Sequence, residues 1–373
     1  MTKVVFIAKT DLNTDGRILN QIKILEQSLP EIKIDFILLP DRPVKINPGE
    51  NVKVHSIHTL IRHNKYLRFF TTMEFVIKSL ILLFKLKPSI VHAQDTAVVL
   101  PVLLYRLIKG RSFKLIYDDH EIPNENANFS SRVFNYFENK LMKMSDYVIF
   151  ANEERMDILK VRNNLKNEYS YFLNLPYFEE ETVLSIDKEN EDKLNEIDRL
   201  IQQNYKFIIH QGPLHKERGR DKLADFSCLL PAKMKILLLG GTKLDFERFL
   251  TENNLDPHKF HFVGSVNYLV LPKYWEKAMA SIIMYLPTFI NNRLCAPNRF
   301  YISLQKGLPV IVNKDNPVLS NFVKKYDCGV YIEDLNIDNI NEINNLRIKE
   351  DVFSDLKIEQ IDNFISIYSN LLD

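Results

Sequence analysis

At 373 residues the chain has room for about two domains, and 46% hydrophobic with 26% charged residues describes an ordinary globular protein rather than a disordered or fibrous one. A net charge of +1 argues against a general nucleic-acid binder. Three cysteines (Cys228, Cys295 and Cys328), odd in number and without metal-ligand spacing, support neither a disulfide framework nor a zinc site and fit a reducing cytoplasm. Charge is unevenly spread. Between Leu60 and Leu115 there are ten Lys or Arg (Arg62, Lys65, Arg68, Lys78, Lys85, Lys87, Arg106, Lys109, Arg111, Lys114) against two acids (Glu74, Asp95), which leaves the remainder acidic. Such asymmetry predicts a surface meant for something anionic.

The N-terminus runs straight into a strand, residues 3–8, without the long apolar core of a secretory signal. A polar loop through Asp15 and Arg17 leads to an amphipathic helix carrying Ile18, Ile22 and Leu25, and residues 34–39 and 52–57 follow as strands. This alternation predicts a parallel sheet flanked by helices. Residues 64–87 are the most apolar stretch, with Thr71, Glu74, Lys78 and Lys85 near one narrow polar stripe. Glu74 and Lys78 make it a poor transmembrane span, and a basic helix with a wide apolar face suits a membrane interface. Burial of that face against the protein's own sheet is the plainer expectation.

Two strands, residues 89–95 and 113–122, end in polar residues: His92 and Asp95 on the first, Asp118, Asp119, His120 and Glu121 on the second. Ligands of open α/β sheets bind beyond the carboxyl ends of strands, so these groups are expected to converge. A histidine among carboxylates can act as a base or hold a hydroxyl; Asp as a simple helix cap is the structural alternative. A helix over 130–144 and a strand over 146–151 complete the first half. Acidic residues 179–203, with a helix-like run at 192–201, read as a linker region.

The second half restarts the pattern, with strands at 205–210, 234–239, 261–263 and 280–284. Glycines punctuate their ends: Gly212 and Gly219 around a loop with Lys216, Arg218 and Arg220, then Gly240 and Gly241, then Gly264. Residues 295–312 read as loop, short helix beginning near Pro297, Gly307 stop and a buried apolar strand. Asn298 and Arg299 stand beside that helix start, where free N–H groups favour anions. Tyr331 falls in a last short strand, and residues 356–372 form a terminal helix. Neither a Walker A motif nor a G-x-G-x-x-G fingerprint is present.

Taken in this order the motifs resemble a glycosyltransferase of the GT-B family 4 type, over nearly the whole chain. The Asp15-Gly16-Arg17 turn is similar to the family's Asp-x-Arg turn. Tyr117-Asp-Asp-His-Glu121 resembles its Asp-x-His-Glu segment, where the His lies by the reacting sugar. Gly212 to Gly219 resembles the Gly-x-Leu loop whose basic residue, here Arg218, holds the donor diphosphate. The segment ending at Gly264 is similar to one lining the nucleobase, and residues 296–310 resemble the donor helix.

The resemblance implies an α/β GT-B architecture, two Rossmann-like parallel-sheet domains facing across a cleft. Its expected parts are an acceptor domain (1–180), an acidic linker (181–204), a nucleotide-sugar domain (205–350) and a C-terminal helix (351–373). It implies His120, Asp118 and Glu121 as catalytic. Gly212, Arg218, Gly241, Gly264, Arg293, Asn298, Arg299 and Tyr301 fall on the donor side, and Asp15, Arg17, His92 and Asp95 on the acceptor side. It further implies a nucleotide sugar as co-substrate, no resident cofactor and no metal.

One departure stands out: the family's ribose-gripping Glu would fall at Ile302, which cannot accept a hydrogen bond. Arg293, Arg299 and Tyr301 are the candidate substitutes. The expected activity is transfer of a sugar to a saccharide acceptor, polyprenyl-linked or otherwise lipid-linked, in surface polysaccharide or glycoconjugate synthesis. The expected location is cytoplasmic, peripheral on the inner membrane face through residues 60–115. A non-catalytic subunit of the same architecture and a nucleotide-sugar 2-epimerase are the alternatives.

Overall fold

The computed structural model describes residues 2–60, 68–122, 129–176, 186–266, 270–349 and 351–372. Arg62 and Lys65 of the basic region, and residues 181–185 of the expected linker, lie outside these. The chain divides into two compact units, Met1–Tyr177 with Ile358–Asp373, and Phe178–Lys357.

The first unit alternates strands and helices: β1 (Lys3–Thr10), α1 (Gly16–Ser28), β2 (Lys33–Pro40), β3 (Val52–Ser56), α2 (Arg68–Leu86), β4 (Ile90–Gln94), α3 (Val99–Lys109), β5 (Lys114–Asp119), α4 (Phe129–Met144), β6 (Tyr147–Phe150), α5 (Glu153–Arg162) and β7 (Glu168–Tyr171). All seven strands are parallel, in the order β3-β2-β1-β4-β5-β6-β7. The central strands are buried on both faces, as their unbroken apolar runs require; Val4 to Ile7 are fully buried. The order reverses between β1 and β4, which opens a crevice at the carboxyl ends of those two strands.

The second unit begins with α6 (Lys188–Gln202) and continues β8 (Lys206–Gln211), α7 (Arg220–Leu229), β9 (Met234–Leu239), α8 (Lys243–Glu252), β10 (Phe260–Gly264), α9 (Leu271–Trp275), β11 (Ala280–Ile283), α10 (Ile290–Arg293), α11 (Asn298–Gln305), β12 (Val310–Val312), α12 (Pro317–Tyr326) and β13 (Gly329–Tyr331). Its six strands are also parallel, in the order β10-β9-β8-β11-β12-β13, with the reversal between β8 and β11. Within the span expected as linker, α6 is capped by Asp187 and packs Leu194 and Ile197 into the core of this unit against Phe207, Ile209 and Trp275. The last helix, α13 (Val352–Leu372), starts in the second unit and ends in the first. There Phe364 and Tyr368 pack against Phe172 and His92.

α11 begins at Asn298 with Pro297 as its N-cap, so no side chain caps it. Gly307 follows with φ +65, the left-handed conformation that ends the helix before the fully buried β12.

Candidate functional site

In the first unit the carboxyl ends of β4 and β5 and the start of α1 meet in a buried polar network. Asp118 is fully buried at the end of β5. Arg17, one residue into α1, donates to it through Nη2 (2.6 Å) and Nε (3.3 Å), while its Nη1 reaches the carbonyl of Phe172. Gln21 lies four residues on along the same helical face and donates to Asp118 Oδ2 at 2.6 Å. Gln94, at the end of β4, gives its amide N–H groups to Gln21 Oε1 (2.6 Å) and to His92 Nε2 (3.1 Å). Its carbonyl oxygen accepts from His120 Nε2 at 3.0 Å.

An amide oxygen can only accept, so the proton of His120 sits on Nε2, and Nδ1 is the nitrogen this network leaves unused. His92 then donates from Nδ1 to the hydroxyl of Tyr368 at 2.7 Å. The electrostatics follow. Asp118 is held well below the usual carboxylate range: burial works against its ionisation, but Arg17 and His120 outweigh it. Burial also pushes His120 down, yet Asp118, 3.6 Å from its Nε2, more than reverses this and raises it. His92 is lowered because burial prevails there. The unit thus presents one histidine, partly exposed, backed by a sealed carboxylate.

The expected site residues divide between interior and surface. His92 and Arg17, expected on the acceptor side, are buried, with their polar groups engaged in the Asp118 network. Asp15 caps α1 by accepting from the Ile18 N–H and from Thr10 Oγ1. Asp95 caps the next turn through the Thr96 N–H. Asp118 is sealed from the surface, 3.6 Å from His120 Nε2. Of the three residues expected as catalytic, His120 and Glu121 reach the surface.

On the opposite side of β5 lies a second acidic pair. Tyr117 donates to Glu138 of α4 at 2.6 Å, both residues being buried, and Asp119 is buried nearby with Oδ1 lacking a hydrogen bond among the described residues. Burial, with the charges of Asp95 and Glu121, raises Glu138 from 4.5 to about 7 against the pull of its Tyr117 bond. Its folded value exceeds its unfolded one. Its contribution to stability is therefore complete below about pH 4.5 and lost as pH climbs through about 7. Glu138 lines a cavity of about 100 Å³ with Asn135, Asn139 and Asn163, which gives protons a route to it. Thermal melts between about pH 5 and about pH 8 should show Glu138→Gln flattening the decline seen in the wild type. His120 declines in the same direction in both proteins, whereas Asp119, raised by burial and then by the charge of Glu138, relaxes with the substitution, so the difference between the curves reports the Glu138–Asp119 pair.

In the second unit the ends of β8, β9 and β10 carry Gly212, Gly240 with Gly241, and Gly264, all at positive φ. Gly212 N–H bonds to the Leu239 carbonyl and Gly240 N–H to that of Gly264, both at 2.7 Å, so the three strand ends remain in step. Across the β8–β11 reversal Arg299 folds back from α11. Its Nη1 donates to the Gln211 carbonyl and its Nη2 to that of Met284 at 3.3 Å. A Cβ at residue 212 would lie 2.8 Å from Arg299 Nη1, so the glycine is what lets this guanidinium pass. Beneath it His210 is fully buried, pushed down to about 3 by burial and by the charges of Arg299 and Arg218.

Arg218 stands at the end of a short turn after β8. Its guanidinium lies 3.8 Å from the centroid of Tyr285, a residue the sequence reading did not single out. Among the described residues it makes neither a hydrogen bond nor an ion pair. Burial and then the neighbouring Arg299 push it down to about 10. Arg299 repels Arg218 more strongly than the Cys295 thiol and Glu217 attract it, and Glu217 forms no ion pair with it among the described residues, so the two cations favour an anion here. Of the other donor-side residues, Arg293 is exposed at the end of α10 and Asn298 opens α11. Tyr301, expected on the donor side, is fully buried with its ring against Phe300 and Phe322. Among the described residues no group of three His, Cys, Asp or Glu is placed to hold a metal ion.

Neither a protein-family model nor a curated protein sequence matches the chain. Solved structures do. The lipopolysaccharide outer core galactosyltransferase WaaB in its apo form superposes with a TM-score of 0.63 at 15% identity, over 99% of this chain and 100% of that one. Anabaena HepE in complex with UDP and glucose gives 0.62 at 14%, over 100% and 96%. A glycosyltransferase from Rickettsia africae gives 0.66 at 14%, over 100% and 99%. The chain has the GT-B fold. At these identities the likeness is one of fold.

Ile302, where the resemblance expects a ribose-binding Glu, packs into the core beside Phe207, Ile209 and Leu308. Tyr285, Gln94 and Gln21 were not flagged by any motif. Only the i, i+4 spacing of Arg17 and Gln21 carried a signal in the sequence.

Proposed function

We propose that this protein is a metal-independent glycosyltransferase that moves a hexosyl or related group from a nucleotide sugar to a saccharide acceptor, lipid-linked, in cell-surface polysaccharide or glycoconjugate synthesis. The observation that carries this is Arg218, a half-buried guanidinium with no ion-pair partner among the described residues, beside glycine-lined strand ends at a topological switch point. A departing nucleoside diphosphate is the ligand such a site would accommodate, and stabilising its developing charge is the dominant electrostatic contribution to glycosyl transfer. Gly212, Gly241 and Gly264 would admit the donor closely, and Arg299 would add its field from below. His120, backed by Asp118, would hold or deprotonate the acceptor hydroxyl, with Glu121 beside it. The solved relative that binds UDP and glucose supports a nucleotide-sugar reading.

The acceptor reading rests on the surface of α2 and α3. One face of α2 is buried through Phe75, Val76 and Leu83, while Phe69, Phe70, Ile77 and Ile81 remain exposed, as do Leu107 and Ile108 on α3. Lys85, Lys87, Lys109 and Arg111 are exposed around them. Among the described residues no helix is long and apolar enough to cross a membrane. An exposed apolar face fringed with lysines suits peripheral docking on an anionic inner leaflet, where each basic residue contributes about 1 kcal/mol.

One observation favours a second reading. Burial of Ile302 removes the usual ribose contact, as in a non-catalytic partner of an active transferase. Transfer and hydrolysis assays over UDP-, GDP- and CMP-sugars separate the two. Turnover of any one establishes the enzyme; silence on all, with stable capture of an active transferase, overturns it. Flotation with vesicles about one-third anionic tests the surface: binding that vanishes in Phe69→Glu/Ile77→Glu is the expected result.

A further inference from the structure

The loop bearing Arg218 is fastened to the segment after β11 at three points. Leu286 N–H donates to the Glu217 carbonyl at 2.9 Å. Gly219, with φ +73, packs so closely on Met284 that an added Cβ would lie 2.7 Å from its sulfur. Between these contacts the Arg218 guanidinium rests 3.8 Å from the Tyr285 ring centroid, and Arg299 lies 5.2 Å from the same ring. Tyr285 is itself fixed from β12. Its N–H donates to Asn313 Oδ1 and its carbonyl accepts from Asn313 Nδ2, both at 3.1 Å, and Asn313 is fully buried.

Resting on the anion-site reading above, we propose that Tyr285 is the positioning residue of that site, an aromatic platform that orients Arg218 toward a diphosphate without neutralising it. A carboxylate in the same place would hold the arginine more firmly, but it would occupy the N–H edges and cancel the charge the ligand requires. A ring face attracts the cation through its quadrupole and leaves all five N–H donors free. Asn313 supplies the rigidity by holding the platform's backbone rather than its ring.

The test is a double-mutant cycle with inorganic pyrophosphate as the probe, read by calorimetry. Tyr285→Leu should weaken binding about 10- to 30-fold, while Tyr285→Phe, which keeps the ring, should stay within about threefold. In an Arg218→Ala background Tyr285→Leu should have no further effect. A general structural role would instead give the same loss in both backgrounds, and that additivity overturns the proposal.

A second measurement needs no ligand and reads the wild-type protein, with one conservative variant used only for assignment. The Nε–H proton of Arg218 in the wild type should show an upfield ring-current displacement in the NMR spectrum, assigned by its disappearance in Arg218→Lys. A resonance at the ordinary position of a free arginine side chain overturns the proposal too. If the wild type binds no pyrophosphate while the ring-current displacement is present, the diphosphate reading fails and the platform stands.

Discussion

Arg218→Ala should sharply weaken nucleotide recognition while leaving the free protein at least as stable as before. The affinity for a nucleoside diphosphate should fall by about 2–4 kcal/mol, roughly 30- to 1000-fold, the range for removing one side of a charge-assisted, partly desolvated contact. The unliganded protein loses nothing equivalent. The Arg218 guanidinium has no hydrogen-bond or ion-pair partner among the described residues, and the strongest charge acting on it, Arg299, repels it. A thermal-shift series with UDP and GDP measures both effects at once: an unchanged or raised baseline and a ligand-induced shift that appears only at much higher nucleotide concentration. A full shift retained in the variant would show that the anion binds elsewhere. Arg299→Ala should behave oppositely. It leaves the Gln211 and Met284 carbonyls without their donor, so its first effect is lower stability.

Asp118→Ala should be the most destabilising single change in the first unit, by about 3–5 kcal/mol. It strands a guanidinium that is almost fully buried and removes the acceptor for Gln21. Because the chain has two compact units, the loss should appear in one denaturation transition while the other stays in place. The same change should lower the titration of His120, followed by its imidazole resonances, since Asp118 is what raises it. The Asp118 pair contributes stability above the ordinary carboxylate value and loses it as pH falls through the much lower folded value, so acid sensitivity should shrink in the variant. A His120 that titrates unchanged would remove Asp118 from its supporting role.

The sequence by itself determined the two successive parallel sheets and their carboxyl-end loops. Unbroken apolar strands alternating with amphipathic helices have few other solutions, and glycines that must adopt positive φ stand out when only 10 occur in the chain. It also determined that Arg218 and His120 belong to such loops, because each closely follows a strand. What only the tertiary structure decided is which charges are spent and which remain available. Arg17, His92 and Asp118 look as reactive in the sequence as His120 does. They prove to be interior because hydrogen bonds spanning 97 to 276 positions satisfy them. Arg299 and Arg218 look equivalent, yet one donates to backbone carbonyls and the other rests on an aromatic ring. Tyr301 seemed a candidate to grip a ribose and is core. Tyr285 carried no motif and is the platform. A helix face or a strand end can be inferred from local periodicity, whereas the partner of a buried polar group is set by segments far away in the chain, and no local pattern encodes it.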